Sequence, residues 1–250
     1  MAFADLKAAV ASANVALARS GLVVLSFGNV SGVDREAGVL VIKPSGVPYD
    51  GLTADDMVVV RLNDGSVVEG DLRPSTDTPT HRILYRELPD IGGVVHTHSR
   101  EATAWAQAGR PIPCFGTTHA DHFRGSVPVS RPLRSAEITG EYEAETGRVI
   151  VEALATAGRT AMDSPAVLVN AHGPFCWGDS PAGAVEAAIA LEAVAAMATR
   201  TLLIDATIGE LDPELLARHF DRKHGPAAYY GQPAGATPFG GEDDEGNGAR

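Results

Sequence analysis

The chain has 250 residues, 44% of them hydrophobic and 21% charged, with a formal net charge of -12 and a pI near 5.0. Length and apolar content suit one domain with a sizeable core. The acidic balance excludes nucleic acid and anionic membrane as main partners, and an anionic small substrate would need a local pocket of N–H groups and cations.

From Asp5 to Ser20, Leu6, Ala9, Val10, Ala13 and Leu17 recur at helical spacing, and Gly21 follows as a stop. No basic segment followed by an apolar run opens the chain, and no 18-residue apolar span is read along it. The only cysteines, Cys114 and Cys176, form no CxxC pair. A reducing compartment and a soluble cytoplasmic protein are therefore expected. Leu22–Phe27 is an apolar run of strand length. It leads into Gly28-Asn29-Val30-Ser31, where a glycine permits close backbone approach and an amide side chain follows. Val39–Ile42 reads as a further strand. Lys43-Pro44-Ser45-Gly46 after it combines a cation, a hydroxyl and a flexible backbone, as an anion cradle or as plain turn chemistry.

Thr53–Met57 reads as a capped turn feeding a strand from Val58 to Leu62, and Asn63-Asp64-Gly65 as a hairpin turn. Next, Thr78 suits an N-cap and Pro79 a first helical turn, for a helix through Ile83, Leu84 and Leu88. Ser75 and Thr76 then stand just before a helix N-terminus, where N–H groups and the dipole favour phosphate. Asp77 reads as a cap, a metal ligand or a base, and His81 as a packed or exposed helix residue.

Gly92–Ser99 reads as a short buried strand ending in two histidines. Alternation sends His96 and His98 to the same face, where their imidazoles can share a metal ion. Ser99–Gln107 is a helix by its apolar spacing, and Gly116–His122 a polar loop in which His119 and His122 flank Asp121. Ser135–Leu154 reads as one long helix with a solvated face of glutamates. Ala166–Asn170 is a strand that delivers a third histidine, His172. Two histidines from one strand and one from another is a normal assembly of a three-histidine site. Ser180–Leu203, apolar almost all round, is expected to be a buried helix. Asp212 and Pro213 open a last helix carrying His219 and Arg222, which ends at Gly225-Pro226, before Tyr229-Tyr230. Residues 1–232 read as one domain. The acidic, Gly- and Pro-rich stretch 233–250 reads as a disordered tail. Alternating strands and helices predict an α/β sandwich, and the early hairpins argue against a purely parallel sheet.

Several runs together resemble the L-ribulose-5-phosphate 4-epimerases of the class II aldolase/adducin family: Gly28–Ser31, Lys43–Gly46, Asp77–His81, His96–His98, Gly116–Asp121, His172–Phe175 and Lys223–Gly231. The similarity covers about residues 5 to 232 in order and spacing. It implies a single-domain three-layer α/β/α sandwich with a mixed, largely antiparallel central sheet. It implies that His96, His98 and His172 bind a divalent metal, zinc or else manganese, with Asp77 beside it as a fourth ligand. Gly28, Asn29, Ser45, Gly46, Ser75 and Thr76 match phosphate-binding positions, Lys43 a substrate contact, and His219 a position on the phosphate side. Asp121 and Tyr230 match the epimerases' acid–base pair. The implied substrate is a small phosphosugar, epimerised at carbon 4 by retro-aldol chemistry. The implied assembly is a homotetramer whose sites lie between subunits. An aldolase acting on L-fuculose 1-phosphate, an L-xylulose-5-phosphate epimerase and a non-enzymatic adducin-like module are the alternatives. Aspartate at 77 favours an epimerase, because the family's aldolases resemble one another in a longer Glu there.

Overall fold

A computed structural model describes residues 3–230. The acidic tail expected after residue 232 lies outside the described residues. Seven strands form one sheet: β1 (Asn29–Asp34), β2 (Val39–Ile42), β3 (Val58–Arg61), β4 (Val67–Glu69), β5 (Gly93–His96), β6 (Ala166–Val169) and β7 (Gly173–Gly178). Their order is β4-β3-β2-β1-β5-β7-β6. Among the described residues every strand pair is antiparallel, and the one parallel contact is an isolated bridge between Val129 and Leu168.

Helices cover both faces. On one lie α1 (Ala4–Arg19), α3 (Arg100–Gln107) and α7 (Pro181–Ile204); on the other lie α2 (Thr78–Glu87) and α6 (Tyr142–Thr156). The strands sort their side chains residue by residue. Leu40, Ile42, Val58, Val60 and Val94 point to α2 and α6, whereas Val39, Val41, Val59 and Val95 point the other way. Both faces are dry, so these strands read as continuous apolar runs rather than as alternation. Each fully buried aliphatic side chain adds about 1.5–3 kcal/mol to the core.

Four sequence expectations change. Leu22–Phe27 is not a strand. It is a loop in which Leu25 takes φ 57° and lies 79% exposed, and the strand begins at Asn29 instead. The long helix expected over 135–154 is two, α5 (Ser135–Thr139) and α6, parted at Gly140. The polar stretch at 116–122 contains a short helix, α4 (Thr117–Ala120). Finally, α7 is apolar enough over 18 residues to match a membrane span by composition, contrary to expectation. It packs Ala184, Val185, Ala188, Leu191 and Ala195 into the core beside β5 and β7, so it is a core helix. Its outward Met197, Leu203 and Ile204 stay exposed, so it is not buried all round. The last helix, α8 (Pro213–His224), is capped by Asp212 as expected and packs against α4.

Candidate metal and phosphate site

Register builds the site. In the sheet, Asn29 lies opposite His96, and His96 lies opposite Phe175. The β6–β7 hairpin closes through Asn170, Ala171 and His172, with Ala171 in the left-handed region at φ 59°. That three-residue turn swings His172 back over the end of β5. Close approach at this corner requires glycine at 28. It holds φ 82°, and a Cβ there would stand 2.7 Å from the His96 carbonyl oxygen.

His96, His98 and His172 each offer a ring nitrogen, and these atoms lie within 4.8 Å of one another. Ring centroids are 4.9 Å apart for His96–His98, 4.8 Å for His96–His172 and 5.0 Å for His98–His172, with planes at 76–88°. The three imidazoles thus stand like the faces of a box corner. His96 Nδ1 lies 3.0 Å from the Pro174 carbonyl oxygen, to which it donates, and its ring stacks on Phe175 at 4.1 Å. That bond fixes the tautomer and turns the bare Nε2 inward. Tyr142 Oη lies 3.3 Å from His172 Nδ1 and helps to orient that ring. His96 Nε2 and His98 Nε2 are 3.1 Å apart. Two nitrogens on one tetrahedral ion with 2.0–2.1 Å bonds would be about 3.3 Å apart. Burial also pushes the His96 imidazole down to about 3, so it is neutral and ligand-competent. The residues therefore fit a divalent ion with nitrogen-tolerant chemistry.

Asp77 borders this corner but is not among the three tightly grouped donors. It stands at the N-cap of α2, where Thr78 was expected, yet its side chain caps nothing. Its Oδ2 accepts from Asn29 Nδ2 at 2.6 Å and from Ser75 Oγ at 3.4 Å. Burial raises its pKa, but electrostatic coupling to the neighbouring His96 and His81 rings and the Asn29 hydrogen bond outweigh that and hold it below the usual carboxylate range. Asn29 Nδ2 also donates to Ser75 Oγ at 3.0 Å. A carboxylate only accepts, so Asp77 dictates which way the amide points. Asn29 Oδ1 is left buried and without a partner at the pocket wall.

The cavity over this corner has a volume of about 340 Å³. Its lining joins the three histidines and Asp77 to Phe27, Gly28, Asn29, Lys43, Ser45, Gly46, Ser75 and Thr76. The two expected halves, histidine corner and phosphate loops, therefore meet in one pocket. Lys43 is buried, its ammonium donating to the Val47 carbonyl and lying 4.6 Å from the centre of the Tyr49 ring. Burial pulls its pKa down to about 8.

Asp121, His219 and Tyr230 do not line this cavity. They meet elsewhere, where α4 abuts α8. His219 Nδ1 lies 3.0 Å from Asp121 Oδ1, and Arg222 donates to both Asp121 oxygens, at 3.0 and 2.7 Å. Tyr230 lies 59% exposed beside them. Of the two places open to His81 in the sequence, packed or exposed, the structure takes the first. His81, fully buried, shares its Nδ1 with Ser31 Oγ at 2.7 Å, and Ser31 Oγ meets Tyr85 Oη at 2.8 Å. Its place inside α2 carried no signal beyond helical spacing.

Comparison with known proteins decides the family. The signature of the class II aldolase and adducin N-terminal domain matches residues 8–199. The chain belongs to the class II aldolase and adducin family. Among solved structures of this family, an L-fuculose 1-phosphate aldolase is 25% identical, with TM-score 0.73, 86% of this chain covered and 95% of that one. YgbL from Klebsiella pneumoniae, to which an aldolase, epimerase or decarboxylase activity has been ascribed, is 28% identical with TM-score 0.68 over 87% of this chain and 99% of that one. The L-fuculose-1-phosphate aldolase from Thermus thermophilus is 25% identical, with TM-score 0.63 over 82% and 98%. The family fold, a single-domain α/β sandwich, agrees with the expected layers, although the sheet is antiparallel throughout rather than mixed.

Proposed function

We propose that the protein is a metal-dependent pentulose-5-phosphate 4-epimerase that interconverts L-ribulose 5-phosphate and D-xylulose 5-phosphate. The observation that carries this reading is the state of Asp77. Its short carboxylate is fastened to Asn29 and Ser75 at the foot of the pocket rather than extended over it as a base. Acid–base duty then falls to other groups, and the epimerase-like motifs supply Asp121 and Tyr230 for it.

Carbon 4 of such a sugar is not acidic, so inversion proceeds by breaking and remaking the bond between carbons 3 and 4. His96, His98 and His172 would hold a divalent ion, zinc by donor type or else manganese, which would supply Lewis acidity to the substrate's carbonyl end. Lys43, Ser45, Gly46, Ser75 and Thr76 hold the phosphate while the aldehyde fragment turns over. Tyr230 and Asp121 exchange the proton of the 4-hydroxyl, one on each side of the aldehyde, so that cleavage on one face is followed by addition on the other. Neither lines the pocket of its own chain, so the reading places them in the site of an adjacent copy within a cyclic homotetramer.

The test is conversion of L-ribulose 5-phosphate to D-xylulose 5-phosphate by the metal-loaded protein, lost with chelator and regained with zinc or manganese. The solved fuculose-phosphate aldolases favour a second reading, a sugar-phosphate aldolase. Release of dihydroxyacetone phosphate from L-fuculose 1-phosphate, without epimerisation of the pentulose, would replace the first reading by the second. Lys43 adds a pH dependence. Its pKa is lowered to about 8, so the cation is present below that pH and lost as pH rises through it. The kcat/KM for the phosphosugar is therefore expected to fall above about pH 8 and to lose this limb in Lys43→Met, with KM up about 10- to 100-fold for a lost charge-assisted bond.

A further inference from the structure

The joint between α4 and α8 is built around one side chain. Arg222 donates from Nε to Asp121 Oδ1 at 3.0 Å and from Nη2 to Asp121 Oδ2 at 2.7 Å, a two-point grip on the carboxylate. The same guanidinium lies 4.9 Å from the centre of the Tyr230 ring. Its backbone carbonyl accepts the N–H groups of Tyr229 and Tyr230, at 3.0 and 3.1 Å. His224 Nε2, two residues on, lies 2.9 Å from the Asp121 carbonyl oxygen. Tyr230 stands beyond the end of α8; Arg222 ties its backbone, and the Arg222 guanidinium and Lys223 Nζ, 4.6 Å from the ring centre, hold its ring.

We propose that Arg222 is a positioning residue that holds Asp121 and Tyr230 as one unit, setting the distance and angle between the two acid–base groups. The inference rests on the epimerase reading, which assigns those groups. A planar fork orients a carboxylate in a way a point charge does not, so Lys is no substitute at such a site. Cleavage from one side and addition from the other needs both groups held in register. Misplacement by about 1 Å at a reacting group can cost about 10²-fold in rate. Arg222 also biases the carboxyl. Burial pushes Asp121 up, while the Arg222 and His219 hydrogen bonds and the Arg222 charge overcome that and hold it below the usual carboxylate range. The charged or titratable neighbours facing it are His219, Arg222, Lys223 and His224 on α8, with His122 beside it in sequence.

The experiment compares native protein, Asp121→Asn, Arg222→Lys and Arg222→Ala as assembled, metal-loaded enzymes, with L-ribulose 5-phosphate as substrate. Both Arg222 variants are expected to lose about 10²-fold in kcat, with KM within about 3-fold of native and the native metal content and assembly size. The acid limb of kcat, where Asp121 must be charged, is expected to move to higher pH in Arg222→Ala. Added guanidinium ion is expected to raise the turnover of Arg222→Ala in proportion to its concentration, and not that of Asp121→Asn. Native turnover in Arg222→Lys overturns the inference and leaves the epimerase reading standing. So does a loss that tracks dissociation of the assembly, with no rescue and no moved limb. A native protein that does not epimerise overturns the reading and the inference together.

Discussion

Replacing Tyr230 with Phe is expected to lower kcat about 10²–10⁴-fold, the usual worth of a general acid–base group, while KM, metal content and melting temperature stay near native. The change removes one oxygen from a ring that is 59% exposed and packed beside Arg222 and Lys223. Within a single chain it empties no core and orphans no buried partner, so folding gives no reason for a loss. A collapse of turnover would therefore report chemistry at a site the single chain does not display. Native turnover would remove Tyr230 from the mechanism. The arrangement can be checked directly by co-assembling Tyr230→Phe with His96→Asn. If each site draws its histidines from one copy and its tyrosine from the next around a ring, an equal mixture should regain about a quarter of native turnover. If one copy supplies both, random mixing of the two inactive chains regains nothing.

His96→Asn is expected to lower turnover about 10²–10³-fold through loss of metal, since a bound divalent ion contributes several kcal/mol to charge stabilisation. His96 is the most constrained of the three imidazoles, stacked on Phe175 and anchored to Pro174. An amide at this position is too short to bring a nitrogen to the box corner. Metal analysis of the purified variant should show a substoichiometric ion, and a large excess of zinc or manganese should restore part of the activity. A variant that keeps a full complement of metal and full turnover would refute the three-histidine centre.

Much of this was legible in the residues. His96 and His98 share a face as alternation along a strand says they must, and the residues proposed to hold phosphate stand at strand ends and before a helix start. The misses have physical causes. Leu22–Phe27 is apolar, but an apolar run records only a preference for burial, and Val24 and Leu25 remain on the surface. Strand β7 carried little local signal because it opens on Gly173-Pro174, a pair typical of turns, although the proline sits next to the strand's first residue, where a missing N–H is tolerated. Gly140 marked the break between α5 and α6, but the apolar spacing on either side masked it. The ion pair of Asp121 with Arg222, and the fixed direction of the Asn29 amide, depend on contacts across about a hundred and about fifty residues of sequence, as their partners' numbers show. No local pattern announces such contacts.

The pocket takes its two ends from different stretches of chain. The end proposed to hold the anion comes from residues 28–29, 43–46 and 75–76, and the imidazole end from His96, His98 and His172. Both are mounted on the ends of strands whose own side chains are committed to the core. Gly28 and Asn29 are tied to His96, but the loop at 43–46 can change without disturbing the imidazoles. A loop change that lengthens or reshapes the anion end would alter which sugar is held, and which way round, while the carbonyl-activating end is passed on intact. A scaffold with one grip on a revisable loop and the other on the sheet can change its substrate without refolding.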